Sequence, residues 1–129
     1  IVTGSMNRQQ FFSTFSGNDL LVYRQDGEGR WQSTIIDSSL PNGRALLAVD
    51  TDGDGNHEIV ASTSGNPKRV LLYRAIDAGA QQWQRMLLDD TMAAAHCVAA
   101  ELSADQRVDI SCIDDTAPFS VHWYENRRN

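Results

Sequence analysis

The residues best suited to chemistry run from Asp50 to Glu58, Asp-Thr-Asp-Gly-Asp-Gly-Asn-His-Glu, with carboxylates at positions 1, 3, 5 and 9 of a short segment. Hard divalent cations such as Ca2+ take roughly six to eight oxygen ligands, and aspartates spaced by two converge when the chain curls tightly. Gly53 and Gly55 permit that curl because glycine accepts positive φ at no steric cost. An EF-hand would need a glutamate at loop position 12 and a helix on each side. That position is Ala61, and both flanks read as strand. The expectation is therefore a calcium loop between strands, with Asp50, Asp52, Asp54 and Glu58 as its carboxylates. The competing reading is an acidic, glycine-rich hairpin turn without metal. Crowded carboxylates repel one another unless a cation sits among them, which favours calcium.

Other reactive side chains are sparse. His57 lies inside the acidic segment, His96 opens an Ala-His-Cys-Val strand, and His122 precedes Trp123. His96 and Cys97 are adjacent, and neighbours on a strand point to opposite faces, so they make no Cys–His pair. No Gly-x-Ser-x-Gly nucleophile turn and no glycine-rich phosphate loop between a strand and a helix occur. Cys97 and Cys112 are the only cysteines, too few for a structural zinc site. They could be bridged in an oxidising compartment, or stay as two small buried residues.

The chain has 129 residues and a formal net charge of −6, which fits one domain and argues against a nucleic-acid partner. No apolar run approaches the roughly 20 residues of a membrane-spanning helix. The first residues, Ile-Val-Thr-Gly-Ser, lack the basic start and apolar stretch of a secretory signal and read as a strand, as in a piece of a longer product.

The elements that must position the loop repeat along the chain. Residues 50–58 align with 101–109, Ile59-Val60-Ala61 with Ile110-Ser111-Cys112, and Val70 to Arg74 with Val121 to Glu125. Ile59 and Ile110, like Tyr73 and Tyr124, are 51 residues apart, and Trp31 and Trp83 are 52 apart. A partial earlier copy places Ile1-Val2-Thr3 and Leu20 to Arg24 in the same slots. The pattern predicts strands over 31–36, 45–49, 57–62 and 70–74, then over 84–88, 95–100, 109–113 and 121–125. Each is short, rich in β-branched, apolar and aromatic residues, and bounded by Gly, Asn, Asp or Pro. Residues 92–102 offer a helical alternative through their alanines, but the matching segment 44–50 runs straight into the acidic loop. The fold class expected is all-β and antiparallel, with a partial blade over 1–30 and full repeats over 31–82 and 83–129.

Four strands per ~50 residues is the pattern of β-propeller blades, which cannot bury their faces alone. The Asp-Thr-Asp-Gly-Asp-Gly-Asn-His-Glu-Ile-Val-Ala-Ser segment, the Leu-Leu-Tyr-Arg and His-Trp-Tyr-Glu-Asn strands and the tryptophan opening each unit resemble the FG-GAP/VCBS type of propeller repeat. Such repeats occur in integrin α-chain heads, some fungal lectins and many secreted bacterial proteins. The resemblance implies that Asp50, Asp52, Asp54 and Glu58 supply side-chain oxygens to Ca2+ and Asn56 a backbone carbonyl. In the second copy, Glu101, Ser103, Asp105 and Asp109 keep oxygen ligands, but Ala104 and Gln106 replace both glycines, so an empty or weak site is expected. Arg107 then stands in for the metal by pairing with Asp105 or Asp109.

Trp31, Trp83, Trp123, Tyr23, Tyr73 and Tyr124 read as packing between blades, with sugar stacking as the alternative. Residues 7–17 and 64–69 read as exposed loops suited to specificity. The function expected is a secreted or periplasmic, calcium-stabilised, non-catalytic recognition or scaffold module for a glycan or protein. The alternatives are a segment of a larger propeller-containing lyase or hydrolase and a purely structural self-assembling fragment. About two and a half blades do not close a ring, so a homo-oligomer, with the dimer favoured, or the remainder of a longer propeller is the partner expected.

Overall fold

The computed structural model describes residues 11–51, 53, 56–64, 67–76, 82–100, 107–114 and 119–126. These form ten strands: β1 (Phe11–Ser16), β2 (Asp19–Gln25), β3 (Trp31–Asp37), β4 (Gly43–Val49), β5 (Glu58–Thr63), β6 (Arg69–Ala75), β7 (Trp83–Asp89), β8 (His96–Ala100), β9 (Asp109–Ile113) and β10 (Val121–Tyr124). All pairings are antiparallel. None of the described residues is helical, and 96–100, within the segment that offered a helical alternative, is strand β8.

The strands make three sheets: β1-β2-β3, β4-β5-β6-β7 and β8-β9-β10. β1 is a difference from the sequence reading, which took residues 7–17 as an exposed loop. Phe11–Ser16 instead pairs along its whole length with Asp19–Arg24 across a Gly17-Asn18 turn. Gly17 has φ +59, the conformation required of a glycine leading a two-residue hairpin turn. Sheet boundaries also fall one strand later than the repeat boundaries. The tryptophan-led strands β3 and β7 close the sheets before them, pairing with β2 and β6.

The sheets stack face to face. Leu20 and Val22 of the first sheet pack with Ile59, Ala61, Leu71 and Tyr73 of the second. The opposite side of the second sheet, through Val60 and Val70, packs with Ile110 and Cys112 of the third. Side chains alternate between faces along a strand, so each sheet has a front, which carries its tyrosine, and a back. The back of one sheet covers the front of the next. The connections between sheets add a plug to each layer: Leu40 enters the first core and Met92 the second, both essentially buried.

A buried hydroxyl joins strands within these layers. The buried Ser62 hydroxyl accepts a hydrogen bond from Ala45 N at 2.8 Å and donates to Ala94 O at 2.6 Å, joining β4, β5 and the approach to β8. Gly43 lies so close to Phe15 that a Cβ there would sit 2.6 Å from the ring, so any side chain would displace it. Cys97 and Cys112 oppose each other across β8 and β9 with Cα atoms 4.1 Å apart, and their sulfurs are bonded.

Candidate functional site

The acidic loop joins β4 to β5, as a loop between two antiparallel neighbours. Gly53 has φ +75, the left-handed region that favours glycine. Asp50 Oδ1 accepts Gly53 N at 2.8 Å and closes the first turn. Glu58, at the start of β5, is almost completely buried. Its Oε1 accepts both the backbone N–H of Thr51, at 2.7 Å, and the Thr51 hydroxyl. The glutamate thus folds back to hold the second residue of its own loop. Asn56 is exposed. Asp52 and Asp54 lie outside the described residues, as do Glu101, Ser103 and Asp105 of the second copy.

Asp109, the counterpart of Glu58, is also fully buried, and its Oδ1 accepts Asn126 N at 2.7 Å. Asn126 Nδ2 in turn donates to Thr51 O at 2.6 Å. The ninth residue of each loop therefore takes part in one hydrogen-bonded relay, Glu58 to Thr51 to Asn126 to Asp109, which ties the third sheet to the loop of the second. Paired burial of this kind avoids the cost of leaving a charge in a dry layer. Fit to a calcium ion is partial on these residues. Asp50 and Glu58 each commit one oxygen to closing the loop, and no three His, Cys, Asp or Glu side chains cluster among the described residues in a metal-holding arrangement.

A second constellation was missed by the sequence reading. Asp37, the last residue of β3, accepts hydrogen bonds from Tyr73 Oη at 2.6 Å, Ser39 N at 2.8 Å and Ser39 Oγ at 2.6 Å. Arg85 Nη1 completes its shell at 3.1 Å. Asp89, the last residue of β7, repeats the arrangement: Tyr124 Oη donates at 2.7 Å, and Thr91 contributes its N–H and hydroxyl. His122 Nδ1 lies 2.7 Å from the same carboxylate. Each aspartate ends the outer strand of one sheet, and each tyrosine belongs to the next sheet. The pair is a polar latch between sheets, present at both internal contacts.

Electrostatics follow from that geometry. Burial works against the charged form of Asp37, but hydrogen bonds from Ser39, Tyr73 and Arg85 outweigh it and hold the carboxyl at about 2. Asp89 is likewise buried yet pulled well below the usual carboxylate range by Thr91, His122 and Tyr124. Burial and the adjacent carboxylates push the Tyr73 and Tyr124 phenols upward, so both stay protonated donors. Tyrosines that stay protonated donors and aspartates that stay charged acceptors make a latch between the sheets.

The aromatic residues divide. Tyr73 is buried, Tyr124 partly so, and Trp83 packs against the first core. Trp31 and Trp123 remain 43% and 50% exposed, on the two outer faces that no sheet covers among the described residues. Tyr23, on the uncovered front of the first sheet, occupies the register position of Tyr73 and stacks on Phe12 with centroids 4.9 Å apart. Trp123 pairs with Ser111 and takes the place of Leu72, so its repeat position differs from that of Trp31 and Trp83. No protein-family model matches this chain, and neither a curated protein nor a solved structure matches it.

Proposed function

We propose that this protein is a non-catalytic, calcium-stabilised scaffold and recognition module of the FG-GAP/VCBS propeller type, working in a secreted or periplasmic setting. One observation carries the reading: the same Asp–Tyr latch, with a buried plug beside it (Leu40, then Met92), joins sheets at two successive contacts. Repetition of a contact, rather than of a reactive group, is what a stacking module needs. The Cys97–Cys112 bridge is compatible with an oxidising compartment. Calcium over Asp50, Asp52, Asp54, Asn56 and Glu58 would neutralise the loop and fix the β4–β5 connection, without polarising a substrate.

The test is thermal unfolding in calcium against EGTA. Calcium at a hundredfold excess over its dissociation constant stabilises by ~2.7 kcal/mol, which raises the melting temperature by about ten degrees. Identical melting curves in calcium and in EGTA would rule out the calcium part of the proposal. Assembly is favoured by the uncovered apolar faces, Phe12, Trp31 and Ile35 at one end and Val98, Val121 and Trp123 at the other. Size exclusion with light scattering distinguishes a homo-oligomer from a monomer, and a glycan array tests sugar binding by the full chain.

A further inference from the structure

The two latches differ in their basic partner. At the first contact it is Arg85 of β7, whose Nη1 lies 3.1 Å from Asp37 Oδ2. A guanidinium keeps its charge at any pH at which proteins fold. At the second contact it is His122 of β10, with Nδ1 2.7 Å from Asp89 Oδ2, the oxygen that also accepts Tyr124 Oη. Histidine is the side chain whose charge ordinarily changes between about pH 5 and 8.

His122 occupies a position that is apolar in the preceding sheet. It lies two residues before Tyr124 and opposite Cys112, as Leu71 lies two residues before Tyr73 and opposite Ala61. Leu71 is essentially buried, whereas the His122 side chain is 36% exposed and that of Asp89 10%. The imidazole thus sits at the margin of the layer, where it exchanges protons with water yet faces a shielded carboxylate. Although burial opposes its charge, bonds from Thr91, His122 and Tyr124 keep Asp89 ionised across the histidine range. Other charged groups border this contact. Asp90 is exposed beside Asp89, and Asp114 continues β9 on the face of Cys112, its N–H donating to Ser120 O at 2.9 Å. Arg44 of β4 directs Nη1 to Ala93 O at 3.2 Å, and Arg74 of β6 lies at the far end of the contact beside Glu125 and Asn126. Neither arginine is within ion-pair distance of Asp89.

We propose that the contact between the second and third sheets is a pH-responsive joint, in which protonation of His122 tightens the Asp89 latch while the Arg85 latch at the first contact stays constant. A neutral imidazole offers Asp89 one N–H and no charge, whereas the protonated ring makes a charge-assisted bond. That cation meets the carboxylate only while the third sheet is docked, so proton uptake favours the docked form. The added stability is fully present below the ordinary histidine midpoint, about pH 6.5, and is lost as pH rises above it. The inference goes beyond the scaffold reading and is independent of the calcium loop. It gives one of two otherwise matching joints a strength that depends on the surroundings.

Hydrogen exchange of the full chain at about pH 5.5 and about pH 8, corrected for the intrinsic pH dependence of amide exchange, tests the joint. EGTA is present throughout, so that no metal affinity titrates alongside. Amides of β9 and β10 are expected to be about three- to tenfold better protected at the lower pH, a range between an exposed ion pair and a charge-assisted bond. Amides of β1 and β2, beside the first contact, gain less. His122→Gln keeps a donor without titrating and should abolish the gain in β9 and β10. His122→Leu, which restores the residue type of Leu71, does the same and covers the case in which the glutamine variant folds poorly. Asp89→Asn, which removes the carboxylate, also abolishes the gain. Equal protection of β9 and β10 at the two pH values overturns the proposal. So does a gain that survives either His122 substitution or Asp89→Asn, since another group would then be titrating. Equal melting in calcium and in EGTA refutes the metal reading alone and leaves these outcomes unchanged.

Discussion

Tyr73→Phe removes one oxygen from the latch between the first two sheets and leaves the buried ring in place. In the native protein that hydroxyl donates at 2.6 Å to an Asp37 side chain only 9% exposed. Hydrogen bonds to charged groups contribute ~1.5–3 kcal/mol, and the remaining Ser39 and Arg85 bonds keep Asp37 from being orphaned, so ~1.5 kcal/mol is the loss expected at pH 7. Linkage gives an independent handle. Asp37 is held at about 2 against an ordinary 3.8. That depression corresponds to ~2.4 kcal/mol, reduced to ~1–2 kcal/mol for screening around the half-exposed Arg85. Because the folded value is depressed, this stability is fully present above the unfolded value and drains away as pH falls from about 4 towards 2. Urea unfolding of wild type, Tyr73→Phe, Asp37→Asn and the double variant, each from pH 7 to pH 2, measures both quantities. The expected coupling energy is ~1–2 kcal/mol, with a shallower acid loss in Tyr73→Phe than in wild type. Additive single effects within ~0.5 kcal/mol, or an unchanged acid limb in Tyr73→Phe, refute the latch as an energetic unit.

Two further perturbations probe other joints. Ser62→Ala leaves the Ala45 N–H and Ala94 carbonyl without their shared partner in a buried layer, and a loss of ~2–3 kcal/mol is expected in chemical denaturation. Reduction of Cys97–Cys112, which closes a loop with a sequence separation of 15, removes ~3 kcal/mol. Calorimetry with and without a reductant should show a melting temperature lower by about ten degrees, and equal curves would mean the bridge adds no net stability.

The strands were legible because their signals are local. The segments at 109–113 and 84–88 alternate or cluster apolar residues between turn formers, and the structure places β9 and β7 there. β1 escaped because Phe-Phe-Ser-Thr-Phe-Ser mixes small polar residues with aromatics and has no counterpart in the quoted repeat pieces. Its signal was the Gly17-Asn18 pair, a two-residue hairpin turn read instead as the end of a loop. Sheet boundaries were not legible at all, since a period is unchanged when its starting strand is shifted. Whether Trp31 opens one sheet or closes the one before depends on which way the chain crosses at Leu40, a tertiary choice. The latch had a readable trace, an aspartate two residues before Ser39 or Thr91 and one full period apart, but its tyrosine partners are 36 and 35 residues downstream. Of the acidic loop, the positive φ of Gly53 followed from the residue type. Burial of Glu58 and Asp109 did not, because it arises from Thr51 and Asn126, which no metal-ligand pattern includes.

Back-to-front stacking gives the molecule polarity. Every internal contact joins unlike surfaces, so three sheets in a row finish with one front, bearing Tyr23, and one back, bearing Trp123. Extending the row at either end exposes the same two surfaces again, however many units are added. Only a circle consumes both, and in a circle built from copies each member gives its back to one neighbour and offers its front to another. A pairing of front on front would bring tyrosine to tyrosine with no carboxylate between them, and the stack would lose the latch that joins its other layers.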